Sequence, residues 1–590
     1  MSDYSIFGCG PAGLYTAWRL AMSGKLTSKD TISLYDWGKY LFSKKESGTR
    51  APAGRICTYH HRNKPGNSYV EMGGMRYIEW DGSADGTGQR LVTTVIEAMG
   101  LTGESEPFNT NPDPLFYLRQ RNFYQSQISS FSPAPYQADH FFGAYPPDDS
   151  LNYVAEQALG KRHPITRSEQ CRFYSNGVLP EGFNSTTYKP GDPIKNIGYW
   201  NLIFDQVGSE GYLYAAAGNG YESNVINWNA ADALIYNNEF VPGGTFKTLK
   251  TGYSWLFAAL FEQIKAACAR HGINLEYNPQ TRLRSIYLDP ERGNRITFTL
   301  AKAKSPFANA GTRTTDHAFL AMPTESLSIV AGGSLYHEGN IIDVLNHERV
   351  ALYRESVIRQ PAYKIAMFFD NAWWRADSAN PPQYPPRLGD EKSNVFGPTI
   401  TDTPLRQIYY FGNNGTDQSK PAYGLLASYD DEQFVGFWQQ LELSVKEVRR
   451  IPLSWSLQPL RGPQQATPEM VNMLRLQLAG VHNGPLADIS TVPEPMETVF
   501  MDWGQNPFGA GYHAWAAHYD IDDVMQKIRK PTQLIEGADA SLYIVGEAYS
   551  NDQGWVEGAF CTSESVLKDF FHLKPIISEK GYPFICRSGR

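Results

Sequence analysis

The chain has 590 residues, too many for one hydrophobic core, so two or three domains are expected. Apolar residues make up 42% and charged residues 19%, close to globular averages, which excludes a disordered or low-complexity chain. A net charge of -8 argues against nucleic acid as a partner, because phosphate binding relies on clustered Lys and Arg. No run of about 18 apolar residues is present, so no membrane partner is expected. The first strand begins at residue 4, which leaves no room for a leader in the chain as numbered. Cytoplasm is the default expectation, with secretion after removal of a leader left open. Cys9, Cys57, Cys171, Cys268, Cys561 and Cys586 are scattered singly, without metal-site spacing, and read as reduced, mostly structural thiols.

The first pattern in the chain is the short apolar run Tyr4-Ser5-Ile6-Phe7 entering Gly8-Cys9-Gly10-Pro11-Ala12-Gly13. This G-x-G-x-x-G spacing opens a helical pattern from Leu14 to Met22. Gly8 allows the tight turn, Gly10 lets the backbone approach a pyrophosphate, and Gly13 lets helix and strand pack closely. A second strand, Thr31 to Tyr35, ends in Asp36 and Trp37, at the distance where a carboxylate grips a ribose hydroxyl. A dinucleotide site follows, though the motif alone does not choose NAD or FAD. Next comes a polar connection, Lys39 to Pro52, whose Lys44-Lys45-Glu46 reads as a solvated loop. It leads into Ala53-Gly54-Arg55-Ile56-Cys57-Thr58 and then Tyr69-Val70-Glu71-Met72-Gly73-Gly74-Met75-Arg76.

Leu91 to Met99 has helical periodicity and stops at Gly100, a C-cap. Ser132 to Tyr136 and Tyr145 to Asp149 read as loops between short helices. Asn184-Ser185-Thr186 and Asn414-Gly415-Thr416 match the glycosylation sequon, a pattern common by chance. Gly252 begins an amphipathic helix reaching about Arg270, and Ile273 to Tyr277 reads as a buried parallel strand. Thr281 to Ile286 is a further segment, and the strand Ala318 to Met322 stops at Pro323. Tyr363 to Phe369 is apolar except for Lys364, which is either a lysine snorkelling from an edge strand or a buried cation needing a partner. Gln407 to Phe411 and Leu425 to Tyr429 read as adjacent strands. Tyr543 to Val545 is a strand ending at Gly546-Glu547, where ligands of α/β sheets collect. Gly554-Trp555-Val556-Glu557-Gly558-Ala559 then enters a helix.

Together the Ala53–Thr58, Gly73–Arg76, Gly546–Tyr549 and Gly554–Ala559 segments resemble the FAD-dependent amine oxidase superfamily, and most of all its L-amino-acid oxidases. Ala53 departs from that family, which has glycine there. The resemblance implies an α/β fold: a split Rossmann-like FAD-binding domain from 1–80, 245–323 and 501–575, an inserted helical module at 81–244, an α+β substrate domain at 324–500, and a tail at 576–590. It implies non-covalent FAD, held by Gly8, Gly10, Pro11, Ala12, Gly13, Asp36, Trp37, Gly54, Arg55, Gly73, Gly74, Met75, Arg76, Leu283, Gly546, Glu547, Gly554, Trp555, Val556 and Ala559. Leu283 would meet the adenine through its backbone.

The resemblance further implies that Lys364 holds a water at the flavin and that Arg76 grips a substrate carboxylate. Tyr429 would assist, with Ser428 in its place if the register slips by one. Gly554 would offer its carbonyl to the amine, and Trp555 would wall the site. The implied reaction is oxidation of an L-amino acid by oxygen to a 2-oxo acid, ammonia and hydrogen peroxide, with no metal; a homodimer is one assembly this allows. A flavin monooxygenase making an amide, an oxidase of simple amines, and a degenerate flavin-binding module are the rivals.

Overall fold

Asp3–Phe7 is the middle strand of a five-stranded, all-parallel sheet in the computed structural model. The order across it is Asn274–Asn278, Thr31–Tyr35, Asp3–Phe7, His317–Leu320 and Ser541–Ile544. Residues 2–38, 54–83, 88–130, 135–137, 148–162, 164, 166–222, 225–239, 246–302, 310–337, 339–388, 396–417, 419, 421–448 and 462–587 are described. Lys39 to Pro52 with Lys44-Lys45-Glu46, Ala53, and most of the Ser132–Tyr136 and Tyr145–Asp149 loops lie outside them.

The parallel strands are apolar because both faces are covered. Helices Pro11–Ala21, Ser254–His271 and Val556–Phe571 pack together on one face. On the other, Phe298 of the Arg295–Lys302 strand sets its ring edge-on to Phe7 and Tyr35. Helix Ser254–His271 ends on Gly272 at φ +70, the left-handed cap its glycine permits. The expected buried strand at 273–277 is Asn274–Asn278, at the sheet edge with its side chains exposed or half-buried. Its polar Asn274 and Glu276 suit a strand with a neighbour on one side only.

The larger sheet is mostly antiparallel. Ala362–Phe369 runs through its interior between Glu497–Asp502 and Tyr423–Asp431, buried along its whole length. The Glu497–Asp502 strand therefore crosses the expected boundary at 500/501 and stays with this sheet. Tyr512–Trp515 pairs with Val357–Gln360, and the chain rejoins the parallel sheet only at Ser541–Ile544. The expected helical module at 81–244 likewise proves composite. Four of its helices, Asp148–Leu159, Arg167–Asn176, Tyr199–Gly218 and Ala230–Glu239, follow one another from residue 148 on. Leu115–Leu118 and Arg121–Tyr124 extend the large sheet, and Arg90–Ala98 packs on Val556–Phe571.

The cysteine expectation is corrected at one pair. Cys171 and Cys586 form a disulfide, with Cα atoms 5.1 Å apart and 415 residues between them in sequence. Cys9, Cys57, Cys268 and Cys561 are free and buried. Single, distant cysteines give no sequence spacing from which such a pair could be read. Beside the disulfide, Arg167 Nη2 donates to both carboxylate oxygens of Asp552, and the guanidinium stacks on Tyr582 at 4.0 Å. The residues expected as a tail thus pack: Tyr582, Phe584, Ile585 and Cys586 are buried. Among the described residues no helix is long and apolar enough to cross a membrane, and no group of side chains is arranged to hold a metal ion.

Candidate active site

At the C-terminal ends of the parallel strands a cleft opens, about 1950 Å³ with its open mouth included, and runs on toward the large sheet. Every site residue named from the sequence lines it except Gly13. Gly13 sits behind the turn, where a Cβ would come within 1.9 Å of the Gly8 carbonyl oxygen. Gly8 itself has φ +110, and a Cβ there would meet the Ala321 carbonyl oxygen at 2.2 Å. Both glycines are fixed by backbone approach, as the motif requires.

The cofactor end has the donor set a dinucleotide needs. Helices Pro11–Ala21 and Val556–Phe571 begin at Gly10 and Trp555, which line the cleft, and neither helix has a side-chain cap. Asp36 Oδ2 accepts the Cys9 N–H at 2.7 Å and Oδ1 accepts the Gly38 N–H at 2.6 Å. Gly54 faces Gly10, where a Cβ would lie 3.3 Å from the Gly54 Cα, so the wall here is bare backbone. Arg282 stacks on Trp37 at 4.9 Å, and Leu283, only 5% exposed, brings its strand to the same end.

Glu547 is more heavily engaged than the sequence suggests. Arg55 Nη2 donates to its Oε1 at 2.7 Å, His513 Nδ1 lies 2.6 Å from the same oxygen, and the Gly554 N–H donates to Oε2 at 3.0 Å. Burial works against the Glu547 charge, but Arg55, His513 and the Gly554 N–H outweigh it and hold its carboxyl well below the usual range. Arg55 also donates to the Gly511 carbonyl at 3.2 Å.

The other end of the cleft holds Lys364, Arg76, Tyr429 and Trp555. Lys364 lies in an interior strand and is 2% exposed, so it does not snorkel. Its Nζ donates to the Gly73 carbonyl at 2.6 Å and sits 4.2 Å from the centre of the Tyr429 ring. Burial, with the nearby Arg76 charge, pushes the Lys364 ammonium down to about 7 against the pull of Glu71 and Cys57. Burial in turn raises Glu71 to about 7, although the Tyr253 N–H, the Thr58 hydroxyl and Lys364 all favour its ionised form. Gly73 is small because the chain passes tightly over the Arg55–Cys57 segment, where a Cβ would come 2.2 Å from the Arg55 carbonyl oxygen.

Arg76 lies over the Phe246 ring at 4.2 Å and the Phe108 ring at 5.2 Å, and Phe246 stacks in parallel on Trp555 at 6.4 Å. Among the described residues it has no carboxylate partner. Burial opposes its charge, and the hydroxyl groups of Tyr409, Tyr221, Tyr429 and Tyr236 more than offset this. Lys364 is paired in register with Tyr429, which lines the cleft, while Ser428 is fully buried and donates to the Pro404 carbonyl at 3.0 Å. The register places Tyr429, not Ser428, at the site.

No protein-family model matches the chain. Aplysianin-A of Aplysia kurodai is 24% identical over an alignment covering 96% of this chain and 90% of that protein. Achacin of Lissachatina fulica is 21% identical, with 96% and 93% covered. A putative bifunctional amine oxidase of Dictyostelium discoideum is 24% identical over 36% of this chain and 16% of its own length. Among solved structures, variants of putrescine oxidase match 97% of this chain and 99% of their own, with TM-scores of 0.56 and 0.57 at 11% identity. The chain shares the overall fold of putrescine oxidase.

The residues at the glycine-turn end of the cleft fit FAD, the cofactor expected from the sequence. No cysteine or histidine among the described residues lines the cleft. Residues missed from the sequence complete the cleft: Tyr221, Tyr236, Trp503, Phe508 and Tyr512 line it, Phe108 and Phe246 support Arg76, and His513 supports Glu547. Trp503 is anchored by donating from Nε1 to the Met72 carbonyl at 2.7 Å. Isolated aromatics in a chain this rich in them carry no periodic signal. His513, between Tyr512 and Ala514 in a short strand, reads in sequence as an ordinary buried histidine.

Proposed function

We propose that this protein is an FAD-dependent L-amino-acid oxidase. The observation that carries the reading is Arg76, a cleft-lining guanidinium braced by two aromatic rings and lacking a carboxylate partner among the described residues. Such a group suits a substrate carboxylate, which its planar fork can take two-pronged. Tyr429 stands beside it, and its hydroxyl would share the same carboxylate.

Gly554 and Trp555 lie where the helix Val556–Phe571 begins, and their main chain is held by Glu547 on one side and Asp552 on the other. A carbonyl from Gly554 would orient the amine, and Trp555 would close the wall, limiting the substrate to one pose. Lys364, near neutrality and buried, can hold a water or exchange a proton with it at the Nζ. The aromatic lining would limit bulk water at the reacting end. FAD, when bound, would supply the two-electron oxidation of the substrate Cα–N bond, with oxygen as the final electron acceptor and hydrogen peroxide as its product. The imino acid released then hydrolyses to a 2-oxo acid and ammonia.

An oxygen-electrode screen of L-amino acids, D-amino acids and the corresponding amines, with peroxide and ammonia assayed together, tests this. The expected result is oxygen uptake with L-amino acids and equal yields of peroxide and ammonia. Comparable turnover of the simple amines would make it an amine oxidase, and an amide without peroxide would make it a monooxygenase. Bound FAD without turnover of any substrate would leave a binding module.

A further inference from the structure

Glu547 lines the cleft, where it accepts from Arg55 and from the Gly554 N–H, and behind it stands His513. The Tyr512–Trp515 strand pairs with Val357–Gln360, setting His513 opposite Arg359, and the His513 side chain is completely buried. Its Nδ1 lies 2.6 Å from Glu547 Oε1, and its Nε2 lies 2.8 Å from Thr324 Oγ1. An ionised carboxylate can only accept, so Nδ1 carries the proton and donates, and Nε2 accepts from the Thr324 hydroxyl. Thr324 opens the helix Thr324–Ser334, whose preceding residue, Pro323, lines the cleft.

We infer that His513 is a positioning residue: by donating from Nδ1 it fixes the rotamer of Glu547, and through Glu547 it sets the peptide of Gly554. The other holders of the carboxylate do not suffice alone. Arg55 divides its guanidinium between Glu547 and the Gly511 carbonyl, and 19% of its side chain is exposed. Gly554 sits at φ +83 in an exposed turn, so the carboxylate oxygen that accepts its N–H is what holds that conformation in place. The charged groups facing the imidazole are Glu547, Arg55 and Arg359. Burial first, then Arg55 and Arg359, lower its proton affinity, and Glu547 does not reverse this, which agrees with a neutral ring in the stated tautomer.

The catalytic part of this inference rests on the oxidase reading, but the cofactor part does not. The test is a titration of FAD into flavin-free protein for wild type, His513→Asn and His513→Gln, followed by flavin fluorescence. An asparagine amide can place its N–H near the Nδ1 position, whereas a glutamine amide reaches the Nε2 position and leaves Glu547 without the donor. Asn is expected to bind FAD within about threefold of wild type and Gln to lose about tenfold or more, as one lost charge-assisted hydrogen bond implies. Thr324→Val, which removes only the hydroxyl, should weaken FAD by about two- to threefold, since the Nδ1 donor survives. At saturating FAD, His513→Gln should also lower kcat, because the Gly554 peptide is no longer held. Equal FAD affinities for Asn and Gln, whether both intact or both lost, overturn the inference. Absence of any oxidase turnover, with the Asn and Gln difference in FAD binding retained, would instead refute the oxidase reading alone.

Discussion

Replacing Arg76 with Met separates a carboxylate-reading oxidase from every rival that does not need a carboxylate. Methionine keeps an apolar stem of similar reach between Phe246 and Phe108, which lie 4.2 and 5.2 Å from the guanidinium carbon, and removes the charge. Two ring contacts of this kind contribute about 0.5–2 kcal/mol each. Against that stands the cost of a cation held partly dry without an ionic partner, so the substrate-free protein should change little in Tm. With substrate bound the account differs. A carboxylate left without its guanidinium loses roughly 2–5 kcal/mol. At about 1.4 kcal/mol per decade this is a fall of roughly one and a half to three and a half decades in kcat/KM for the L-amino acid. The assay compares an amino acid with its decarboxylated amine in wild type, Arg76→Met and Arg76→Lys. Lys should recover part of the loss, since an ammonium lacks the two-pronged geometry. The amine's already poor rate should barely move. Equal losses for acid and amine, a large fall in Tm, or loss of FAD would show that Arg76 supports the fold or the cofactor instead.

Lys364→Met should retain FAD and slow a flavin half-reaction in stopped flow, with reoxidation by oxygen the expected step; unchanged rates in both halves would remove Lys364 from the chemistry. The same variant has a stability signature. The folded Lys364 is pushed down to about 7 from an ordinary 10.5, so between those pH values the unfolded chain binds the extra proton and wild-type stability rises with pH. The Tm advantage of Lys364→Met over wild type should therefore be larger at pH 7 than at pH 10, and a constant difference would refute the assignment. The purified protein should be yellow with about one FAD per chain, all of it released by acid precipitation; colour left in the pellet would mean a covalent bond. Cys171→Ser or Cys586→Ser should cost about 2–5 kcal/mol of stability with FAD binding kept, and equal Tm values with and without reductant in wild type would show the pair does not form.

The glycine turn, its strand and Asp36 were legible because their chemistry is local: a backbone that must turn and approach leaves glycines at fixed offsets. Gly73, Gly74 and Gly554 belong to the same class, and the segment carrying Arg76 was readable through them. Lys364 was legible as an anomaly, since a lysine amid apolar residues is costly, but only pairing on both edges of Ala362–Phe369 separates burial from snorkelling. What could not be read depends on approach between distant parts. Cys171 and Cys586 meet through tertiary packing, and His513 gains its role from Glu547 and Thr324, both far away in sequence. The Glu497–Asp502 strand concealed its sheet for a related reason: an apolar run of that length fits either domain, and hydrogen bonding to Ala362–Phe369 decides.

The order of the parallel sheet has a consequence for how the protein is made. His317–Leu320 is completed early, yet its outer neighbour, Ser541–Ile544, is translated only after residues 321–540. At about 5–20 residues per second that apolar strand edge waits roughly 10–45 s for its partner on the ribosome. The last strand also delivers Gly546 and Glu547, so neither the sheet nor the cofactor site can close before residue 547 is made. FAD therefore cannot guide the early folding of this protein, and a nascent chain stalled before residue 541 would present an unpaired edge ready to join another copy.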